Sequence, residues 1–289
     1  MMPTAQLSLD PRQELGDLTR VSNPTADEFA RLALRPRRPV LVRGVLEQLA
    51  AYSRWTPAYL QKTVGAKPVA VSPTDPRGVA DYFTSAERPF TALVDELARR
   101  DARHYLTVGN VFTSGRGRFA TAALPELADD LPIPTILADL PVTEGNLWMG
   151  FDGVVTPLHF DTKDNLLGVI GGHKHIWLFP PTETTRLYPH PLRSSGEETD
   201  SRLDLTSADL KRFPRLARAR FYRIVLEPGD MIFLPSGWWH FVVSTGAANT
   251  AVNFWWRAPL KAYLATPVNR VIARRLWCLF ARLRAPNRP

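Results

Sequence analysis

Residues 221–244 read FYRIVLEPGDMIFLPSGWWHFVVS. Apolar, β-branched and aromatic runs alternate here with two turns, Pro228-Gly229-Asp230 and Pro235-Ser236-Gly237. Such runs, bounded by Gly, Pro and Asp, read as short strands. The same texture begins at Asn146 and recurs in "NLWMGF", "NLLGVIGG", "KHIWLFPP" and "TAVNFWW". Many short strands at this spacing predict a mainly β fold, a sandwich or a barrel, with helices around it. One polar segment, "RSSGEETDSRLDLTSADLKRFPRLARA" at 193–219, breaks the pattern, and a loop insertion of about residues 183–219 with a short helix is expected.

Upstream the texture is mixed. Thr25-Ala26-Asp27-Glu28 has the spacing of a capping box, which predicts a short helix to about Leu34 and makes residues 1–35 a helical extension. "VLVRGV" (40–45), "PVAVS" (68–72) and "HYLTVGN" (104–110) read as strands. Thr56-Pro57 caps a helix over "PAYLQKTV", and "TALVDELARR" (91–100) is helical.

With 289 residues the chain can bury a sizeable core in one or two domains. The start, "MMPTAQLSLDPRQEL", shows no basic head before an apolar run, and no apolar stretch approaches the roughly 18 residues of a membrane span. A cytoplasmic location is expected. Cys278 is the single cysteine, which excludes an internal disulfide and a cysteine-caged metal. Any metal site must therefore draw on carboxylates and on histidines 104, 159, 173, 175, 190 and 240. The net charge of +8 is unevenly spread. Residues 257–289 hold eight of the 36 basic residues and no acidic one, so residues 1–256 balance 28 basic against 28 acidic groups.

The chemistry concentrates in "TPLHFDTKDN" (156–165). Strand residues two apart share a face, so His159 and Asp161 project together. Taken alone, a His-x-Asp is more often an ordinary pair than a metal site. A second imidazole, His240, follows the Pro235-Ser236-Gly237 turn and has no other evident duty. Two imidazoles and one carboxylate make the facial triad of non-haem Fe(II) oxygenases. Lys174 lies in the apolar strand "GGHKHIWLFPP", where an ammonium needs an anion, and Thr156 offers a hydroxyl toward the same cavity. A cation and hydroxyls deep in a barrel can hold one end of a small dicarboxylic acid while its 2-oxo acid end chelates iron. That makes 2-oxoglutarate the natural cosubstrate, with O2 as oxidant. Lys163 and Asp164 are placed at the cavity mouth.

These residues carry a resemblance. "W-x-G" at 148–150, "TPLHFD" at 156–161, Asn165, "GGHKHIWLFPP" at 171–181, "LYPHP" at 187–191, "EPGDMIFLPSGWWH" at 227–240 and "VNFWW" at 252–256 resemble the JmjC/cupin-like Fe(II)- and 2-oxoglutarate-dependent oxygenases, in particular the asparaginyl hydroxylase group acting on hypoxia-inducible factor. "RPVLVRG" (38–44) and "WTPAYLQKTVG" (55–65) match its N-terminal part, so the resemblance spans roughly residues 36–256. It implies a double-stranded β-helix, a jelly-roll barrel with helices outside. It also implies His159, Asp161 and His240 as Fe(II) ligands, and Lys174, Thr156 and Tyr105 as the 2-oxoglutarate pocket. Asn165 and Asn253 would line the cosubstrate and iron site, and Trp255 a cavity wall. "HKH" at 173–175 resembles the His-x-His of metal cupins, but no glutamate follows at the usual distance. If Lys174 points inward, His173 and His175 point outward. No catalytic acid–base residue is implied.

The family hydroxylates or demethylates several substrate classes. Hydroxylation of an amino-acid side chain in a peptide or protein is the expectation, with a free amino acid, a small metabolite or a tRNA base as alternatives. A non-catalytic cupin-fold binding protein and a zinc hydrolase are rivals of other classes. Residues 266–285 place apolar residues at helical spacing opposite an Arg-rich side. This basic amphipathic helix could dimerise, dock on its own barrel, or meet a membrane surface or RNA.

Overall fold

The computed structural model describes residues 9–99, 103–113, 122–191 and 199–265. Its strands, in chain order, are β1 (Thr19–Ser22), β2 (Val40–Arg43), β3 (Pro68–Pro73), β4 (Ala86–Pro89), β5 (His104–Thr113), β6 (Val142–Gly150), β7 (Val155–Phe160), β8 (Lys163–Phe179), β9 (Tyr222–Leu226), β10 (Met231–Leu234) and β11 (Trp239–Arg257). All are linked in one hydrogen-bonded system, ordered β1-β2-β10-β8-β11-β6-β5-β3-β4, with β7 added to β11 and β9 to β8.

Two strands, β8 and β11, are far longer than the rest and run antiparallel along their whole length. Both bend midway. At the bend the register breaks between Thr245 and Thr250, and Gly172 and Gly246 meet with positive φ. A Cβ on Gly172 would lie 2.7 Å from the Thr245 carbonyl oxygen, so only glycine permits this approach. Before the bend β8 pairs β10, and after it β9. The early part of β11 pairs β7, and the late part pairs β6. Two sheets, β10-β8-β11-β6 and β9-β8-β11-β7, thus share two strands and face one another. This is the double-stranded β-helix, or jelly roll.

Side-chain alternation sorts the residues into layers. Val252, Phe254 and Trp256 of β11 point outward onto Phe29, Trp55, Leu60 and Leu93, so the helical elements cover one sheet. Trp239 and Phe241 point outward on the other sheet, against Phe160, Trp177 and Phe179 and against Leu203, Leu205 and Phe213 of the insertion. Between the sheets lie Val169, Ile176, Leu178, Ile232 and Val242. This interior turns polar toward one end.

The capping box forms as the spacing requires: the Thr25 Oγ1 accepts from the Glu28 backbone N–H at 3.2 Å, and the Glu28 carboxylate accepts from the Thr25 N–H at 3.0 Å. Residues Ala26–Phe29 are α-helical and continue as a π-helical turn over Ala30–Leu34. The extension is not helical alone. Thr19–Ser22 joins the sheet parallel to β2. Its residues are mostly exposed, so no apolar alternation marked it as a strand. The insertion holds 3₁₀ turns at Pro181–Arg186 and Pro214–Arg218. Beyond the short helix Leu260–Ala265, the basic amphipathic segment lies outside the described residues. Among the described residues no helix is long and apolar enough to cross a membrane.

Candidate metal and cosubstrate site

His240 opens β11 directly opposite His159 of β7. Their rings lie 4.1 Å apart between centroids. Asp161 follows β7 at the turn into β8, and its two carboxylate oxygens stand 4.0 Å from His159 Nε2 and 4.0 Å from His240 Nε2 respectively. One ligand atom from each residue fits within 4.8 Å of the others, a grouping able to hold one metal ion.

The backbone sets the imidazole tautomers. His159 Nδ1 is 2.8 Å from the Pro157 carbonyl, and His240 Nδ1 is 3.1 Å from the Trp238 carbonyl. A carbonyl can only accept, so each Nδ1 carries a proton and each Nε2 is the nitrogen turned toward Asp161. Burial, with the neighbouring His159, pushes the His240 pKa down to about 4, so its Nε2 lone pair is available at neutral pH.

Thr156 and His159 are three residues apart, a spacing that would put them on opposite faces of a regular strand. A β-bulge resolves this. His240 pairs His159 while Val242 pairs Thr156, so β7 holds one extra residue here. Pro157, which has no N–H to lose, occupies the bulge. Val155, Leu158 and Phe160 then face the outer core, and Thr156 and His159 face the cavity.

Lys174 is 3% exposed and donates to the Ser244 hydroxyl at 3.0 Å. Among the described residues no carboxylate pairs with it. Burial lowers its pKa to about 7. Its Nζ lies 5.9 Å from the Tyr105 ring centre. Burial, then Tyr82, hold the Tyr105 pKa well above the usual tyrosine value, opposed by a hydrogen bond from Thr156. Tyr82 completes a hydroxyl cluster by bonding Thr156 Oγ1 at 2.9 Å. As expected from alternation, His173 is exposed and His175 turns away to Thr245 Oγ1 at 3.2 Å.

A run of asparagine amides ends on Asp161. Asn110 donates to Asn146 at 2.7 Å, Asn146 to Asn253 at 3.0 Å, Asn253 to Asn165 at 3.0 Å, and Asn165 to Asp161 Oδ2 at 3.3 Å. Trp148 Nε1 adds a second donor to Asn253 at 2.8 Å. All four amides are buried, so each hydrogen bond forms where water does not compete. Trp255 stands on the same inner face, its ring 6.1 Å from Trp148.

One placement differs from expectation. Asp164 is not at the mouth but 1% exposed on the outer face, gripped by the Arg37 guanidinium and by the Ser236 N–H at 2.9 Å. The reason is alternation: Asn165 points in, so Asp164 points out. Lys163 does sit toward the rim, paired with the buried Glu144 and 5.4 Å from the Trp255 ring centre. Sequence reasoning passed over Tyr82, Asn110, Asn146 and Ser244. Asn146 had a usable signal, two residues before Trp148 and so on its face. Tyr82 had none, because it comes from an irregular turn.

Fold and cluster together define a jelly-roll barrel protein with two imidazoles and one carboxylate at its open end. More particularly, the chain belongs to the cupin-like domain family, whose model matches residues 25–262, and one of its relatives carries the Jumonji C name. It is 28% identical over 248 residues to "Jumonji C domain-containing protein 5" of Drosophila melanogaster, covering 83% of this chain and 60% of that one. It is 30% identical over 244 residues to "Lysine-specific demethylase 8" of Xenopus tropicalis, covering 81% and 51%. It is 31% identical over 264 residues to the human "Bifunctional peptidase and (3S)-lysyl hydroxylase JMJD7", covering 81% of each. The chain thus spans between half and three fifths of the length of the first two.

Proposed function

We propose that this chain is an Fe(II)- and 2-oxoglutarate-dependent dioxygenase that hydroxylates a C–H bond of an amino-acid side chain in a peptide or protein. The observation carrying this is the coincidence, on one inner wall, of the triad His159, Asp161 and His240 with the anionless buried cation Lys174. When bound, the ferrous ion with 2-oxoglutarate and O2 supplies the oxidising power for hydroxylation.

The donor set fits that ion. Two imidazoles turn their Nε2 atoms to the site because the Pro157 and Trp238 carbonyls hold their Nδ1 protons. Asp161 offers a carboxylate whose Oδ2 is steadied by Asn165. Lys174 receives the distal carboxylate of 2-oxoglutarate, with the hydroxyls of Thr156, Tyr105 and Tyr82 around it. A dicarboxylate there supplies the missing anion for a cation otherwise buried at a cost. Asn253 and Asn165 fix the floor of the cavity, and Trp255 forms a wall. No side chain is assigned as general acid or base.

Relatives named as a lysine-specific demethylase and a lysyl hydroxylase support a protein substrate. The test is anaerobic loading with Fe(II), then O2 and 2-oxoglutarate. Succinate should form slowly without added substrate, and His159→Ala should abolish it. Equal silence of both proteins, with zinc as the metal found, would overturn the reading.

A further inference from the structure

Among the described residues, four buried side-chain polar atoms lack a hydrogen-bond partner: Asn110 Oδ1, Glu144 Oε2, Ser236 Oγ and Trp255 Nε1. An unmet buried donor or acceptor is costly, and natural proteins hold few. Three of these four share one wall. Trp255 of β11 is the direct cross-strand partner of Glu144 of β6. Asn110 of β5 is the partner of Asn146, two residues from Glu144 and on the same face. Leu147 and Met149 of β6, and Phe254 and Trp256 of β11, pack outward with the helical layer, so Glu144 and Trp255 project inward. Their wall adjoins Asn165, which bonds Asp161.

We infer that this wall is the substrate-recognition surface, and that it takes the main-chain amide of a polypeptide: Trp255 Nε1–H donates to the substrate carbonyl while Glu144 Oε2 accepts the substrate N–H. The inference rests on the oxygenase reading above and deepens it. The inventory decides the class of ligand. Cross-strand neighbours place one donor and one acceptor side by side, the complement of a group offering C=O and N–H together. Lys163 already neutralises Glu144, so its second oxygen suits an uncharged N–H. A cationic end there would meet the Lys163 ammonium. Asn110 Oδ1, one strand further out, is a second acceptor for the N–H of an adjoining residue of the substrate chain. A free amino acid reaches the same atoms only by setting its ammonium beside Lys163 and its carboxylate beside Glu144, so charge favours the neutral amide.

The probes are N-acetyl amino-acid N-methylamides of each standard side chain and the corresponding free amino acids. They are titrated calorimetrically into full-length protein holding Mn(II) and 2-oxoglutarate. For the preferred side chain the blocked form should bind about tenfold or more tighter than the free form, as one added buried hydrogen bond implies. Trp255→Phe keeps a ring and removes the N–H, and should lower the blocked form's affinity about tenfold while changing that of the free form by less than about twofold. Should Trp255→Phe fail to fold, the double variant Glu144→Met/Lys163→Met removes both charges together and should show the same selective loss. Equal binding of blocked and free forms, or equal loss of both in the variants, overturns the inference. Succinate formation is scored separately. Selective binding without succinate leaves the amide site standing and removes the oxygenase reading. Succinate without selectivity does the reverse.

Discussion

Lys174→Met should make the ligand-free protein more stable at neutral pH while removing its response to 2-oxoglutarate. Lys174 is buried, and its pKa falls from an unfolded value of 10.5 to about 7. The unfolded chain therefore binds more protons between those values, and wild-type stability must rise with pH across that window. Below pH 7 the folded state carries the whole penalty, about 5 kcal/mol for a shift of roughly 3.5 units. By about pH 10.5 the penalty has vanished. Methionine fills a similar volume without the charge. It leaves the Ser244 hydroxyl without the donor it had at 3.0 Å, which offsets roughly 1 kcal/mol of the gain. Urea unfolding without 2-oxoglutarate should show the variant more stable by about 3–4 kcal/mol at pH 6.5, shrinking toward zero or slightly below by pH 10. Added 2-oxoglutarate should stabilise wild type and not the variant. A variant less stable than wild type at pH 6.5, or a gain independent of pH, would refute the claim that Lys174 is an unpaid buried cation.

Other perturbations test other parts of the scaffold. Arg37→Ala leaves Asp164 buried beside the Ser236 N–H without its counter-ion, and should cost about 3–5 kcal/mol in denaturant unfolding. Asn146→Leu interrupts the amide run three steps from Asp161 and strips a donor from Asn253. A loss of about 2–3 kcal/mol, with weaker Co(II) binding read from its visible absorption, is expected. Gly78→Ala sets a Cβ 2.3 Å from the Gly153 carbonyl oxygen at a φ of +81°. It should displace the loop bearing Tyr82 and raise the KM for 2-oxoglutarate more than it lowers kcat.

Much of the fold was legible because its signals are local. Turns such as Pro228-Gly229-Asp230 and Pro235-Ser236-Gly237 bound the strands that the structure shows at Met231–Leu234 and Trp239–Arg257. The length of β8 and β11 was not legible. "NLLGVIGG" and "KHIWLFPP" read as separate strands, yet they are one strand bent at Gly172, because a glycine bend and a turn look alike in sequence. The residues His159, Asp161 and His240 were legible since each sits at a strand end beside a turn. The approach of Tyr82 to His159, and the amide run that joins Asn110 to Asp161, depend on pairings between distant segments, which no local pattern encodes. The Thr156–His159 bulge shows the same limit: strict alternation separates these residues, and only the register of β7 against β11 puts them on one face.

The shared strands β8 and β11 have a dynamic consequence. Asn165 and Lys174 lie on one of them, and His240, Asn253 and Trp255 on the other, so five of the candidate site residues share a single antiparallel ribbon, while His159 and Thr156 lie on β7 beside it. That ribbon is hydrogen-bonded on both flanks along most of its length and sits at the centre of both sheets. Such a segment opens only in large, rare excursions. Amide hydrogens from β8 and β11 should therefore exchange together and last of all. Tyr82 and residues 199–201 lie outside this ribbon, against β7, and their amide hydrogens should exchange earlier.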